Sequence, residues 1–423
     1  MTKINVNGIL LLYHHPVLAS APTIMEHVNA FSRHSKFKVW KVNTELGFPK
    51  GLNDIRFQIL VLHYTLFGSY PYKLNDKFIH FIKENGSTYK IAFFQDEYRY
   101  CQQRFRFINQ HNIDCVYTLL KPQYFNQVYR KYTSISKIVH TIPGYVSEDL
   151  IQLSHKMTKP NHERQIDVGY RARPLEFYMG KGGQEKTEIA YGFHEREDGL
   201  GLQLDIRTDE KARIYGRKWY QFLTKCRAVL GVESGISIFD LEDKVRLRCE
   251  EIMVKDPNIS FKEISKRVLA QWENNIYYRT ISPRHFEAAA LKVCQILFEG
   301  EYSGIMKPLV HYIPLKKDFS NFRDVIIKFE NINVRHHFTE NAYRDLIVSG
   351  QYSYKKFIEN FDQDLLNSGF RSDISLTAIN LVTELLRLGR INRRLISMLK
   401  SLRHYPFPGK YYLSSASTSI FRK

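Results

Sequence analysis

Short apolar runs alternate with amphipathic stretches along most of the chain, and the period of each sets the element it predicts. In the first half, Gly8–Tyr13, Phe37–Val42, Phe57–His63, Lys90–Phe94, Ile113–Leu119 and Lys137–Ile142 read as strands. Helices are expected between them at Thr23–His34, Asn75–Glu84 and Tyr100–Gln110. Strand, helix and strand at this interval predict a parallel sheet with helices on both faces. The alternation breaks over Gln152–Arg164, a polar run rich in Lys, Asn and His that reads as a linker. It resumes with strands near Ile166–Tyr170, Leu202–Ile206, Arg227–Val232, Val293–Phe298 and Leu309–Ile313. Two charged helical stretches, Asp243–Val254 and Ser260–Trp272, interrupt this second series. From Asn321 the pattern is helical, and Leu381, Leu385, Leu388 and Leu395 share a face beside Arg387, Arg390, Arg393 and Arg394. The expected organisation is an α/β chain with two doubly wound parallel-sheet domains, 1–150 and 166–340. A linker at 151–165 joins them, a helical insertion occupies 239–279, and a helical extension covers 341–423.

The segment from Ile281 to Gly304 reads as a helix, a buried strand and a polar loop in quick succession. Ser282 can cap the helix, Pro283 suits its first turn, and Phe286, Ala289 and Ala290 share one face. Glu287 lies about one turn in. After the strand Val293–Phe298, the loop gathers Glu299, Glu301, Tyr302 and Ser303 between two glycines. Open α/β sheets bind ligands at this edge.

This segment resembles the carboxyl-terminal half of family-1-type glycosyltransferases of the GT-B architecture, which carry a helix of the F-E-A-x-A type, here Phe286 to Ala290. The resemblance extends through Ile166–Arg173, Gly182–Lys186, Arg213–Tyr220, Cys226–Gly235 and Lys307–Asp318. It implies two Rossmann-like domains facing a central cleft, and a metal-independent, hexosyltransferase-type enzyme without a cofactor, since the nucleotide sugar is a substrate. It also implies that Glu287 holds the donor ribose. Many retaining members carry two Glu eight positions apart, but the matching position here is Arg279. Glu233 could take that place if the insertion loops out, and Glu299 or Glu301 could face the sugar or the base. A non-catalytic scaffold of the same fold that binds a nucleotide sugar or a glycan is the alternative.

For the diphosphate, Arg171 follows a strand and offers bidentate contacts, with Arg173 and Lys181 as further candidates. Helix starts near Gly182-Gly183 and at Ser282 and Arg284 add donors. In the first half, His14, His15, His63, Gln95 and Asp96 stand where strands end, so His15 and Asp96 are candidate acid–base residues. Asp96-Glu97 is the nearest approach to a metal-binding carboxylate pair and lacks the matching context. Trp219 and Tyr220 read as helix packing.

The formal net charge of +19 over 423 residues points to an anionic partner: a nucleotide diphosphate, a lipid-linked acceptor or an acidic membrane face. Basic residues are spread along the chain, which argues against nucleic acid. Five cysteines without metal spacing read as buried thiols. The apolar run near the amino terminus is too short for a signal peptide, and no window reaches the ~20 residues of a membrane span. The expected setting is cytoplasmic, with peripheral membrane contact through the arginines of 387–394.

Overall fold

The computed structural model describes residues 3–16 and 22–387. The first sheet holds β1 (Ile4–Tyr13), β2 (Val39–Asn43), β3 (Ile55–Leu62), β4 (Tyr89–Phe93), β5 (Cys115–Thr118) and β6 (Lys137–His140), in the order β2-β1-β3-β4-β5-β6. Every pairing is parallel. Its central strands are apolar on both faces because both faces are covered. Helix α1 (Pro22–His34) packs Val28 and Phe31 on one side, and α2 (Asp76–Glu84) and α3 (Cys101–Gln110) pack Phe78, Phe105 and Ile108 on the other. Asn75 starts α2 by accepting from the Phe78 N–H.

The expected linker begins inside a helix and leaves it at Met157. Ser147 caps α4 (Glu148–Met157), and Leu150 enters the core of the second domain. That domain holds β7 (Ile166–Arg171), β8 (Leu204–Arg207), β9 (Cys226–Gly231), β12 (Cys294–Phe298) and β13 (Ile313–Leu315), parallel in the order β13-β12-β9-β7-β8. β10 (Ser234–Ile236) and β11 (Tyr278–Thr280) form a separate antiparallel ribbon. The last strand lies further on than the sequence indicates. Leu309 has a left-handed φ of 59° and its N–H bonds to the Tyr312 carbonyl, so the apolar run begins as a turn.

Helices α5 (Lys181–His194) and α6 (Arg217–Leu223) follow β7 and β8, and α7 (Lys244–Lys255) and α8 (Phe261–Ile264) build the insertion. The apolar side chains Val245, Cys249 and Ile264 of the insertion join one core with Phe94, Tyr98 and Phe105 of the first domain. Helix α9 (Pro283–Ala290) precedes β12, and α10 (Phe322–Glu330) and α11 (Ile332–Ala342) close the second domain. The chain then returns. Phe357 and Phe361 of α12 (Tyr354–Asn367) pack on Phe31, Phe93 and Tyr117 of the first domain.

Helix α13 (Leu376–Arg387) buries Val382 and accepts, at Thr383, the Trp40 indole N–H at 3.3 Å. Leu385 packs at Gly51, whereas Leu381 is 45% exposed, so the expected leucine face is only partly inward. Leu388, Arg390, Arg393, Arg394 and Leu395 lie outside the described residues. All five cysteines are buried and free. Among the described residues no helix is long and apolar enough to cross a membrane.

Candidate functional site

The carboxyl ends of β4, β7 and β9 and the start of α9 enclose a cleft of about 390 Å³ between the domains. Six cationic side chains line it, Arg99, Arg171, Arg173, Lys186, Arg213 and Arg284, against the single carboxylate of Asp96. Their freedom differs. Arg171 is turned back onto its own sheet, donating to Asp205 Oδ2 at 2.7 Å and to the Asp205 carbonyl, with Phe222 under its guanidinium. Arg213 pairs with Glu210, Arg173 approaches Glu176 at 3.9 Å, and Arg284 donates to the Arg171 carbonyl while lying over Trp219. Burial, and then the charges of Arg284 and neighbours against the attraction of Asp96, lower the Lys186 ammonium to about 8. The sequence marked Lys186 only as the end of the Gly182–Lys186 stretch that carries the resemblance, four residues after Gly182. That spacing sets it on the face that meets the ribbon, where a Cβ at Gly182 would lie 2.6 Å from Arg279.

The helix start expected to serve a phosphate is already occupied. The Lys181 N–H bonds to the Glu273 carboxylate at 3.1 Å, the Gly182 N–H to Ser237 Oγ at 2.8 Å and the Gly183 N–H to the Gly180 carbonyl. The Lys181 side chain is exposed and does not line the cleft. Ser282 does line it, and its Oγ caps α9 through the Arg284 N–H.

An α-glucosyltransferase solved with UDP and a 13-mer DNA containing an HMU base is similar to 87% of this chain and to all of its own, at 11% identity and a TM-score of 0.51. This chain sets two parallel-sheet domains around its cleft. The chain has the GT-B fold. TarM is similar over 74% of this chain and 55% of its own, at 13% identity and a TM-score of 0.38. The pneumococcal O-GlcNAc transferase GtfA is similar over 73% and 56%, at 12% identity and a TM-score of 0.36. The chain thus spans just over half the length of these two. No protein-family profile matches the chain, and no curated protein does.

Within the GT-B cleft, desolvation raises the Asp96 carboxyl, while Lys186 and Arg99 pull it down. Glu97 turns the other way, into the first domain. There it accepts from Thr118 Oγ1, the Leu119 N–H and the hydroxyls of Tyr129 and Tyr278, a bracing role that leaves no metal-binding pair. His15 is locked to Asn43 through its backbone at 3.0 and 2.7 Å and lies off the cleft. His63 is buried against His27 at 2.9 Å.

Glu287 and Glu233 are both buried away from the cleft lining and do not meet. Glu287 accepts from the Trp219 indole at 2.7 Å, so it stands directly behind a residue that lines the GT-B cleft. Burial raises its carboxyl, and the Trp219 bond opposes that. Trp219, read as packing, thus also shapes the site. Glu233 accepts from the Tyr302 N–H at 2.8 Å and the Tyr277 hydroxyl at 2.9 Å, beside Arg279.

The loop after β12 is a brace rather than a wall. Tyr302 donates to the Phe298 carbonyl, Ser303 Oγ contacts Thr280 Oγ1 and accepts the Ile281 N–H, Glu301 pairs with Lys121 of the first domain, and Glu299 is exposed. Among the described residues no group of His, Cys, Asp or Glu is arranged to hold a metal ion.

Proposed function

We propose that the chain is a glycosyltransferase that takes a nucleotide sugar into this cleft and passes the sugar to an acceptor of polysaccharide or glycoconjugate synthesis. The observation that carries the reading is the charge of the cleft, six cationic side chains against Asp96, with no ion pair on Lys186 among the described residues. A shielded cation is expensive unless an anion satisfies it, and a leaving diphosphate is such an anion. The fold agrees: a neighbour of the same architecture was solved with UDP. Lys186, Arg173 and Arg284 would bind the diphosphate. Asp96, the cleft carboxylate, would take the acceptor proton. Glu287 would reach the ribose by exchanging its Trp219 bond for ribose hydroxyls.

Calorimetric titration with nucleoside diphosphates and their sugars tests this. Binding of a nucleoside diphosphate is expected, and Glu287→Gln should weaken it by about 1–3 kcal/mol, the loss of a charged hydrogen bond, with the fold intact. Unchanged affinity in a folded variant removes Glu287 from the site. The scaffold reading is favoured by Arg279 standing at the first Glu position and by the inward Glu233. Binding without sugar transfer to any acceptor would select it. Peripheral contact with an anionic membrane through the arginines of 387–394 belongs to the same proposal. Co-sedimentation with anionic vesicles at low salt, lost when those arginines become Gln, is the expected result.

A further inference from the structure

A single loop supplies what the first domain sets into the cleft. Among the described residues that line it, Asp96, Tyr98 and Arg99 alone come from that domain, all between β4 and α3. The loop is clamped from behind. Glu97, 0% exposed, accepts from the Thr118 hydroxyl, the Leu119 N–H and the hydroxyls of Tyr129 and Tyr278. The Arg104 guanidinium donates to the Glu97 and Arg99 carbonyls at 2.6 and 2.8 Å, and Asp243 accepts the Tyr100 N–H at 3.1 Å. These contacts hold Asp96 and Tyr100 at left-handed φ of 52° and 55°, a backbone that costs a non-glycine residue energy and persists where its surroundings enforce it. Arg99 is half-buried, with its guanidinium over the Tyr178 ring at 5.5 Å. Its Nε is enclosed, whereas its two Nη groups are open and make no hydrogen bond or ion pair among the described residues.

We propose that the acceptor carries an oxyanion, a phosphate or a carboxylate, beside the hydroxyl that receives the sugar, and that Arg99 binds it. The inference rests on the function proposed above and names the class of acceptor. The donor diphosphate is met from the second domain, by Lys186, Arg173 and Arg284. Arg99 stands on the other wall, three residues from the Asp96 that would take the acceptor proton and on the same clamped loop. An anion held there is fixed relative to Asp96, which is what presenting a neighbouring hydroxyl to that carboxylate requires. A guanidinium offers parallel N–H groups that fit the paired oxygens of a phosphate or carboxylate, and a neutral sugar would leave its charge unmatched.

The full chain, saturated with a nucleoside diphosphate so that the donor cations are occupied, is titrated calorimetrically with glycerol phosphate, glucuronate and glucose. At least one of the two anions should bind and glucose should not, and the anion that binds tells phosphate from carboxylate. Arg99→Met, which keeps an apolar stem against Tyr178, should weaken that anion about tenfold, the loss of a charge-assisted hydrogen bond, and change nucleoside diphosphate affinity by less than about twofold. Arg99→Lys, which keeps the charge, should recover part of the loss. Binding of neither anion, glucose binding as tightly as the anions, or anion binding unchanged in Arg99→Met overturns the assignment. A loss of nucleoside diphosphate affinity in Arg99→Met as large as the loss of the anion overturns it too, by placing Arg99 in the donor site. Failure of the unaltered chain to bind the nucleoside diphosphate would instead overturn the proposed function.

Discussion

Glu26, on α1 at the edge of a smaller cavity of about 220 Å³, shows how a single side chain couples the domains. Burial, and then the carboxylate of Glu287 in the other domain, raise its carboxyl to about 7 from an ordinary 4.5. The folded state therefore holds this proton more tightly than the unfolded chain. The associated stability is complete below pH 4.5 and is lost as pH rises through about 7. Glu26→Gln should accordingly stabilise the protein at pH 8, by at most about 3 kcal/mol, and make little difference at pH 5. Urea midpoints at the two pH values check this, and a gap independent of pH would contradict it. Residues with local signatures were legible in the sequence: Ser282 as a cap, Arg284 at the helix start, Asp96 at a strand end. Lys186 was legible only as the end of the Gly182–Lys186 stretch, because its place in the cleft without an ion pair among the described residues depends on neighbours far apart in the chain.

At the scale of elements, the β10–β11 ribbon carries Arg279 between two buried carboxylates. It pairs with Glu185, which also meets Lys317 at 2.7 Å, and stands 4.0 Å from Glu233. Arg279→Met would leave Glu233 and part of the Glu185 charge uncompensated, and should lower stability by about 3–5 kcal/mol in denaturant unfolding. Arg279→Glu restores the spacing of the two-Glu motif but adds a third carboxylate, so it should destabilise the fold at least as much and raise no transferase activity. The alternation of apolar runs was enough to place most strands and both helical stretches of the insertion. It missed the turn at Leu309, where only the left-handed backbone breaks the pattern, and the inward packing of α4, whose sequence is polar because one face is solvated.

Across the whole molecule, α12 makes the first domain depend on the end of the chain. Phe361 meets Phe31, Phe93 and Tyr117, so Phe361→Ala should cost about 3–5 kcal/mol and shift unfolding of both domains together, seen as one calorimetric transition. Two separated transitions would show that the domains fold independently. Two parallel-sheet domains could be read from periodicity, whereas the return of α12 and α13 could not, since an amphipathic helix does not record which sheet it covers.

The insertion, although its sequence interrupts the second domain, is welded to the first. Its Asp243 and Leu241 accept from the Tyr100 N–H and the Gln102 amide, and Tyr278 donates to Glu97. On the opposite side, Val146 and the segment around Ser353 exchange backbone bonds where the chain passes between the domains. These bonds would have to break or travel together before the two domains could part. In the proposed reaction, the basic walls of the cleft would draw the charge of an arriving nucleotide in from solvent.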